Sequence, residues 1–186
     1  MTSRRRADAP LFWSVAGTVL ASDVASKAFA VASLAPVGLE RPVIGEWLRW
    51  KLVYNPGAAF GLHLGAYSRP VFILLSLVAL AILWRVYTTA RPGDRWRVLA
   101  VALVTGGAIG NLLDRLRAAQ GVVDFIDIGV GASRWPTFNI ADIAVSVGAV
   151  LLAWVLWTEE EEEDDQVAAP TTDAVRAEET TALGQL

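Results

Sequence analysis

Two aspartates hold the chemistry that this chain offers: Asp124, within Val122-Val123-Asp124-Phe125, and Asp142, within Phe138-Asn139-Ile140-Ala141-Asp142. Both fall at the edge of apolar runs, and an ionisable group beside a bilayer is costly enough to mark a functional site by default. The chain has no Cys, and its one His is His63. Thiol catalysis, Ser-His triads and His-rich metal sites are therefore all but excluded, and carboxylate chemistry remains.

The elements that must position these aspartates are membrane helices. Of the 186 residues, 54% are hydrophobic, and they collect into long runs that are apolar on all sides, unlike the one-sided periodicity of a soluble fold. Residues 11–35, 71–87, 98–116 and 140–157 are each long enough to cross a hydrocarbon core of about 30 Å as a helix. Arg4, Arg5 and Arg6 precede the first run, and Arg85, Arg91, Arg95 and Arg97 crowd the short link between the second and third. By the positive-inside rule both segments face the cytoplasm, and an even number of spans returns the C-terminus there. Arg41, Arg49, Lys51, Arg69, Arg115, Arg117 and Arg134 lie in the opposite loops, which are longer and carry a lower charge density.

The first run imitates a secretory signal peptide, with its arginines, its apolar stretch and Ala28-Phe29-Ala30. Asp23 and Lys27 interrupt it where cleavage would occur, and apolar residues continue beyond, so a retained span is expected. Residues 159–165 are an acidic block followed by a Thr/Ala/Glu-rich stretch with little to bury. The expected division is thus a membrane domain over 1–158 and a disordered, solvated tail over 159–186, to which no function is assigned. Outside the spans, 47–54 reads as a strand closed by the turn Asn55-Pro56-Gly57, and 121–128 reads as a second strand. Open sheet edges are not tolerated in lipid, so a small sheet or cradle should lie over the outer helix ends. Trp47, Trp50, Tyr54, Tyr67 and Trp135 fit an interfacial aromatic belt.

Placed by depth, the costly polar residues share one level. Asp23 and Lys27 lie in the outer half of the first span, Asn111, Asp114 and Arg115 at the outer end of the third, and Asn139 and Asp142 at the outer start of the fourth. Each has an ordinary explanation alone: Asp23 and Lys27 are an i,i+4 pair, and Asp114 with Arg115 could cap and anchor a helix. Their common depth favours a common site. Gly106-Gly107-Ala108-Ile109-Gly110 gives the third span a small surface that another helix can approach closely. Asn139 suits an N-cap, with Asp142 at the third helical position and Phe138 and Ile143 spaced for a hydrophobic staple. Asp142 therefore has a structural role open to it as well, as a carboxylate at a helix N-terminus, and spacing alone does not choose between the two.

Taken together, these residues resemble the lipoprotein signal peptidases, or signal peptidase II. The matching pieces, in the family's order, are Asp23 and Lys27, Asn55-Pro56-Gly57-Ala58-Ala59-Phe60-Gly61, Gly106-Gly107-Ala108-Ile109-Gly110-Asn111-Leu112-Leu113-Asp114-Arg115, Val122-Val123-Asp124-Phe125 and Phe138-Asn139-Ile140-Ala141-Asp142. They cover about residues 11–157, and only the tail departs from the family's compact ending. The resemblance implies a mainly α, polytopic protein of four transmembrane helices with a small extracytoplasmic β-sheet. It implies a bacterial inner-membrane aspartic endopeptidase, its active site at the outer face, that cuts prolipoproteins before a diacylglyceryl-modified Cys. Asp124 and Asp142 would be the dyad, sharing a proton because two adjacent carboxylates cannot both ionise cheaply. Asn111 and Asn139 would hold the aspartates or substrate backbone. Asp23, Lys27, Asp114 and Arg115 would form a supporting network, and Asn55 and Gly57 would belong to a loop that clasps substrate. No metal or organic cofactor is implied; the partners are the lipidated substrate and membrane lipids, with no nucleic acid, and the enzyme would act as a monomer. The non-enzymatic alternative is a small transporter or proton-translocating protein, with Asp23, Lys27 and Asp142 as a proton path. A presenilin-type protease would want an Asp after Gly-x-Gly, which Gly129-Val130-Gly131-Ala132 lacks; a Ser/Lys protease could pair Lys27 with a serine, but Ser22 and Ser26 lie on the same helix as Lys27, and no other loop serine stands out.

Overall fold

A computed structural model of the chain describes residues 8–57 and 65–168. Four helices dominate it: α1 (Ala9–Ser33), α2 (Ser68–Thr89), α3 (Arg95–Arg117) and α4 (Ile140–Ala168). All four are long and apolar enough to cross a membrane. Strand β1 (Arg41–Ile44) and strand β2 (Leu48–Asn55) follow α1, whereas β3 (Val122–Val130) and β4 (Ser133–Arg134) lie between α3 and α4. The strands form one antiparallel sheet in the order β1-β2-β3-β4.

The helix ends follow local chemistry. Asp94 caps α3, its side chain accepting the Arg97 N–H at 3.1 Å. At the other end of α3, Arg69 from the first turn of α2 donates to the Arg115 and Leu116 carbonyls at 2.7 and 3.2 Å, satisfying acceptors that have no partner within the helix. Asp8 Oδ2 accepts the Gly93 N–H at 3.1 Å, which sets the start of α1 beside the start of α3. These two helices therefore run parallel, with their C-terminal ends on the side of the sheet.

Lipid gives helices no hydrophobic reason to associate, so close packing must come from small residues. A Cβ on Gly106 would meet Ala16 O of α1 at 2.7 Å, one on Gly107 would meet Val145 Cγ2 of α4 at 2.8 Å, and one on Gly148 would meet Ala100 O of α3 at 2.8 Å. The expected small surface of α3 is thus its contact face toward both α1 and α4. Along α1, Phe12 and Ala16 belong to an apolar cluster with Leu83, Val98, Val101 and Ala102, and Phe12 stacks on Tyr87 with ring centroids 4.2 Å apart. Ala30 and Leu34 join a second cluster, under the sheet, with Leu52, Val123, Phe125 and Ile126. Asp23 and Lys27 lie between the two clusters on the same helix.

Several expectations shift. Strands 47–54 and 121–128 appear one residue later at their starts, as β2 and β3, whereas β1 and β4 are too short to show a period in sequence. Trp50 and Tyr54 pack against the cluster under the sheet, with the Trp50 and Phe125 rings 6.0 Å apart. Trp47, Tyr67 and Trp135 remain exposed, as residues of an interfacial belt would. The backbone of α4 continues as helix through the acidic block to Ala168, where an unstructured chain was expected. Glu is a good helix former, and the helix is already nucleated by the apolar span before it. Of the described residues, Ala153–Ala168 form a unit separate from those before them.

Candidate active site

The start of α4 fixes Asp142. Asn139 is the cap: its Oδ1 accepts the Asp142 N–H at 2.9 Å, and Asp142 Oδ2 accepts the Asn139 N–H in return at 3.1 Å. This is the reciprocal capping arrangement that the spacing suggests, made with Asp at the third position in place of Glu. The other oxygen, Oδ1, accepts from Asn111 Nδ2 at 2.8 Å. Both oxygens of Asp142 thus receive N–H donors at the N-terminus of α4. Phe138 packs on the cluster under the sheet while Ile143 is 41% exposed.

Asp124 is set by the sheet. Asn55 faces Val122 across the β2–β3 ladder, so it shares a face with Asp124 two residues on, and its Nδ2 reaches Asp124 Oδ2 at 3.2 Å. Asn55 Oδ1 accepts the Gly57 N–H at 3.0 Å, which turns the amide so that its donor points at the carboxylate. Asn139 Nδ2 donates to Asp124 Oδ1 at 2.7 Å. Asn139, fully buried, therefore bridges the aspartates: it donates to one side chain and accepts from the backbone N–H of the other. Asp124 is only 2% exposed. Burial, and next the charge of Asp142, push its carboxyl up to about 7, against weaker opposing pulls from Asn55, Asn139 and Lys27.

Behind the pair lies a buried ionic cluster. Lys27, 4% exposed, places its ammonium 2.7 Å from Asp23 Oδ2, 2.9 Å from Asp114 Oδ2 and 2.9 Å from Asn111 Oδ1. The Asp23 contact is an ion pair outside hydrogen-bond alignment. Asp23 Oδ1 accepts the Ala141 N–H at 3.0 Å, and Asp114 Oδ2 accepts the Val123 N–H at 3.2 Å. The i,i+4 pair inferred from sequence is real, and it is one part of a wider network. A Cβ at Gly110 would collide with the Asp23 carboxylate, so the small surface of α3 also makes room for this cluster.

A cavity of about 530 Å³ opens in front of the aspartates, lined by both of them with Asn55, Gly57, Phe72 and Arg115 among others. Gly57 has φ +114°, in the left-handed region, and a Cβ there would meet Phe72 Cδ2 at 2.8 Å. The Arg115 guanidinium lies 5.4 Å above the Phe72 ring and donates to Asn111 O at 3.1 Å. The wall formed by Trp135, Pro136, Thr137 and Phe138 was not singled out for the site from sequence, although it leads directly into Asn139. Its anchor is Arg134, which donates to Asp127 Oδ1 at 2.7 Å and to the Glu46 and Asp127 carbonyls. Ala58 to Gly61 of the expected substrate loop, and His63, lie outside the described residues. Among the described residues, no group of three or more His, Cys, Asp and Glu is placed to hold a metal ion.

All ten residues singled out from sequence therefore meet around this one cavity or directly behind it. Residues 15–158 match the family described as signal peptidase (SPase) II. A lipoprotein signal peptidase of Mycobacterium avium (strain 104) is 40% identical over 147 residues, 76% of this chain and 76% of that protein. One from Rhodococcus jostii (strain RHA1) is 41% identical over 150 residues, covering 76% and 70%. Among solved structures, a bacterial membrane enzyme determined in meso at 2.3 Å resolution superposes with a TM-score of 0.73 at 27% identity. That match covers 82% of this chain and 91% of that one.

Proposed function

This chain belongs to the signal peptidase (SPase) II family and removes the signal peptides of prolipoproteins, and from that premise we propose that it cuts as an aspartic endopeptidase whose dyad is Asp124 and Asp142. The observation that supports this most is the bridge through Asn139, which ties two carboxylates of opposite character to the wall of one cavity. Asp142 has donors on both oxygens and serves as the ionised member. Asp124, with its raised affinity for a proton, serves as the acid. A water between them gives a proton to Asp142 and attacks the scissile carbonyl, while Asp124 donates a hydrogen bond to the carbonyl oxygen. The amine then leaves with the proton taken up by Asp142, and the pair returns to its starting state. Cleavage falls just before the diacylglyceryl-modified Cys of the substrate, whose acyl chains rest on the apolar helix faces.

The protein spans the membrane several times. In the reading proposed here that membrane is the bacterial inner membrane, both termini are cytoplasmic, and the aspartates lie at the outer face, where the lipid-bearing Cys of the substrate also lies. The enzyme works as a monomer without metal or cofactor, through a peptidase domain over 1–158, and the tail over 159–186 has no catalytic part. Asn55 and Gly57 contact substrate; Asn111 and Asn139 hold the pair, with Asp23, Lys27, Asp114 and Arg115 behind it.

The pH dependence of cleavage tests the acid–base assignment. Because Asp124 must hold a proton, kcat/KM for a diacylglyceryl prolipoprotein should fall about tenfold per pH unit above an apparent pKa of about 7, the value belonging to the coupled pair. A rate still flat at about pH 9 would overturn the assignment of Asp124 as the acid.

A further inference from the structure

The buried ammonium of Lys27 touches neither aspartate of the pair, yet its contacts lead to both. One ion-pair partner, Asp23, uses its second oxygen to hold the N–H of Ala141, the residue before Asp142. Another, Asp114, holds the N–H of Val123, the residue before Asp124. The third, Asn111 Oδ1, is turned toward Lys27, and this leaves Asn111 Nδ2 aimed at Asp142 Oδ1. An ammonium has three donors and no acceptor, so Lys27, together with Asn139 Nδ2, which donates to the same oxygen at 3.1 Å, holds the Asn111 amide in one orientation. Three elements that approach from different directions, α3, β3 and the start of α4, are thus referenced to one point on α1.

We infer that Lys27 is a positioning residue that sets the spacing and orientation of the aspartate pair from behind, through Asp23 to α4, through Asp114 to β3 and through Asn111 to the Asp142 side chain. This rests on the proposed dyad and goes beyond it, since a supporting charge in general needs no such matched connections. Burying the Lys27 ammonium with the Asp23 carboxylate, and Asp114 partly so, carries a desolvation cost that their pairing need not repay. A packed apolar replacement would stabilise the bundle at least as well, so the cluster is better explained by the geometry it imposes than by stability.

The test is Lys27→Met in the full-length purified enzyme, with cleavage of a diacylglyceryl prolipoprotein followed in detergent or in vesicles. A displacement of about 1 Å at the pair should lower kcat ~100-fold. KM should stay within about threefold, because substrate is bound in the cavity on the other side of the aspartates. Asp124 receives hydrogen bonds from Asn55 of β2 and from Asn139 before α4, and feels the charges of Asp142 from α4, Lys27 from α1 and Arg115 from α3; removing the one ammonium should move the alkaline limb of the rate profile to higher pH. Lys27→Met alone leaves Asp23 and Asp114 facing each other and could prevent folding. The compensated variant Asp23→Asn/Lys27→Met keeps the net charge of the cluster, so it should accumulate as folded protein and still turn over slowly. A compensated variant with native kcat would overturn the inference, as would a rise in KM at unchanged kcat. Asp124→Asn in the same assay keeps the two readings apart. If it is inactive while Lys27→Met runs at full speed, only the positioning role falls; if it is active, the dyad falls and the positioning role with it.

Discussion

Asp124→Asn should make the protein more stable at pH 8 and less stable at pH 4. The folded protein holds the Asp124 proton more tightly than an unfolded chain does, so native stability falls as pH rises from 3.8 to about 7 and is flat above that range. A shift of about 3 units amounts to about 4 kcal/mol against the folded state at pH 8. Asn carries no charge and escapes that cost. It has a single acceptor oxygen, however, and Asp124 now receives two donors, from Asn55 Nδ2 and Asn139 Nδ2. One of them would lose its acceptor, at about 1–3 kcal/mol. The net expectation is a gain of about 1–3 kcal/mol at pH 8 and a loss of about the same size near pH 4, where the wild-type carboxyl is close to its unfolded protonation. Thermal midpoints in one detergent, read for both proteins from pH 4 to pH 8, would show two curves that cross. Each kcal/mol should appear as roughly 2–4 °C for a chain of this size. Curves separated by a constant difference across that range would refute the raised proton affinity of Asp124, and with it the division of acid and base.

Three further outcomes follow from the same geometry. Asp127→Asn should keep turnover within about threefold yet lower the thermal midpoint, since it weakens the ion pair of the buried Asp127 with Arg134 that anchors the cavity wall; a ~100-fold loss of kcat would place Asp127 in the chemistry instead. Gly57→Val puts a branched side chain at φ +114° against Phe72, so cleavage should drop by about tenfold or more while the protein still inserts in the membrane, and unchanged kinetics would remove the 55–57 turn from the substrate site. A periplasm-active reporter fused after Arg91 should be silent, and activity there would reverse the proposed orientation.

The parts of this account that sequence could supply are those with a local signature. The spans were legible because lipid demands about 20 consecutive apolar residues. The cap at Asn139 with Asp142 was legible because it spans one helical turn. The small surface of α3 was visible as Gly106-Gly107-Ala108-Ile109-Gly110, but not that it divides between two partners, Ala16 on one side and Val145 on the other. Lys27 illustrates where the sequence stops. Its i,i+4 partner Asp23 was evident, whereas Asn111 is 84 residues away and Asp114 is reached only once α1 and α3 are packed. Trp135 read as an interfacial aromatic; only the fold turns its segment into a cavity wall, through the Arg134 contact with Asp127. The transporter alternative expects polar groups through the full depth of the bundle. The buried charged side chains of α1, Asp23 and Lys27, meet those of the later helices at one end, and the opposite cluster around Phe12 and Val101 is apolar.

The central claim is that Asp124 and Asp142 act as one unit, and single-turnover cleavage of a diacylglyceryl prolipoprotein tests it most directly. Asp124→Asn and Asp142→Asn change shape little while removing a proton-transfer group, so each should abolish cleavage in protein that still folds. The double variant should be no worse than either single one, because residues that act together are non-additive. Near-normal single-turnover cleavage in either single variant, or losses that multiply in the double variant, would contradict the account.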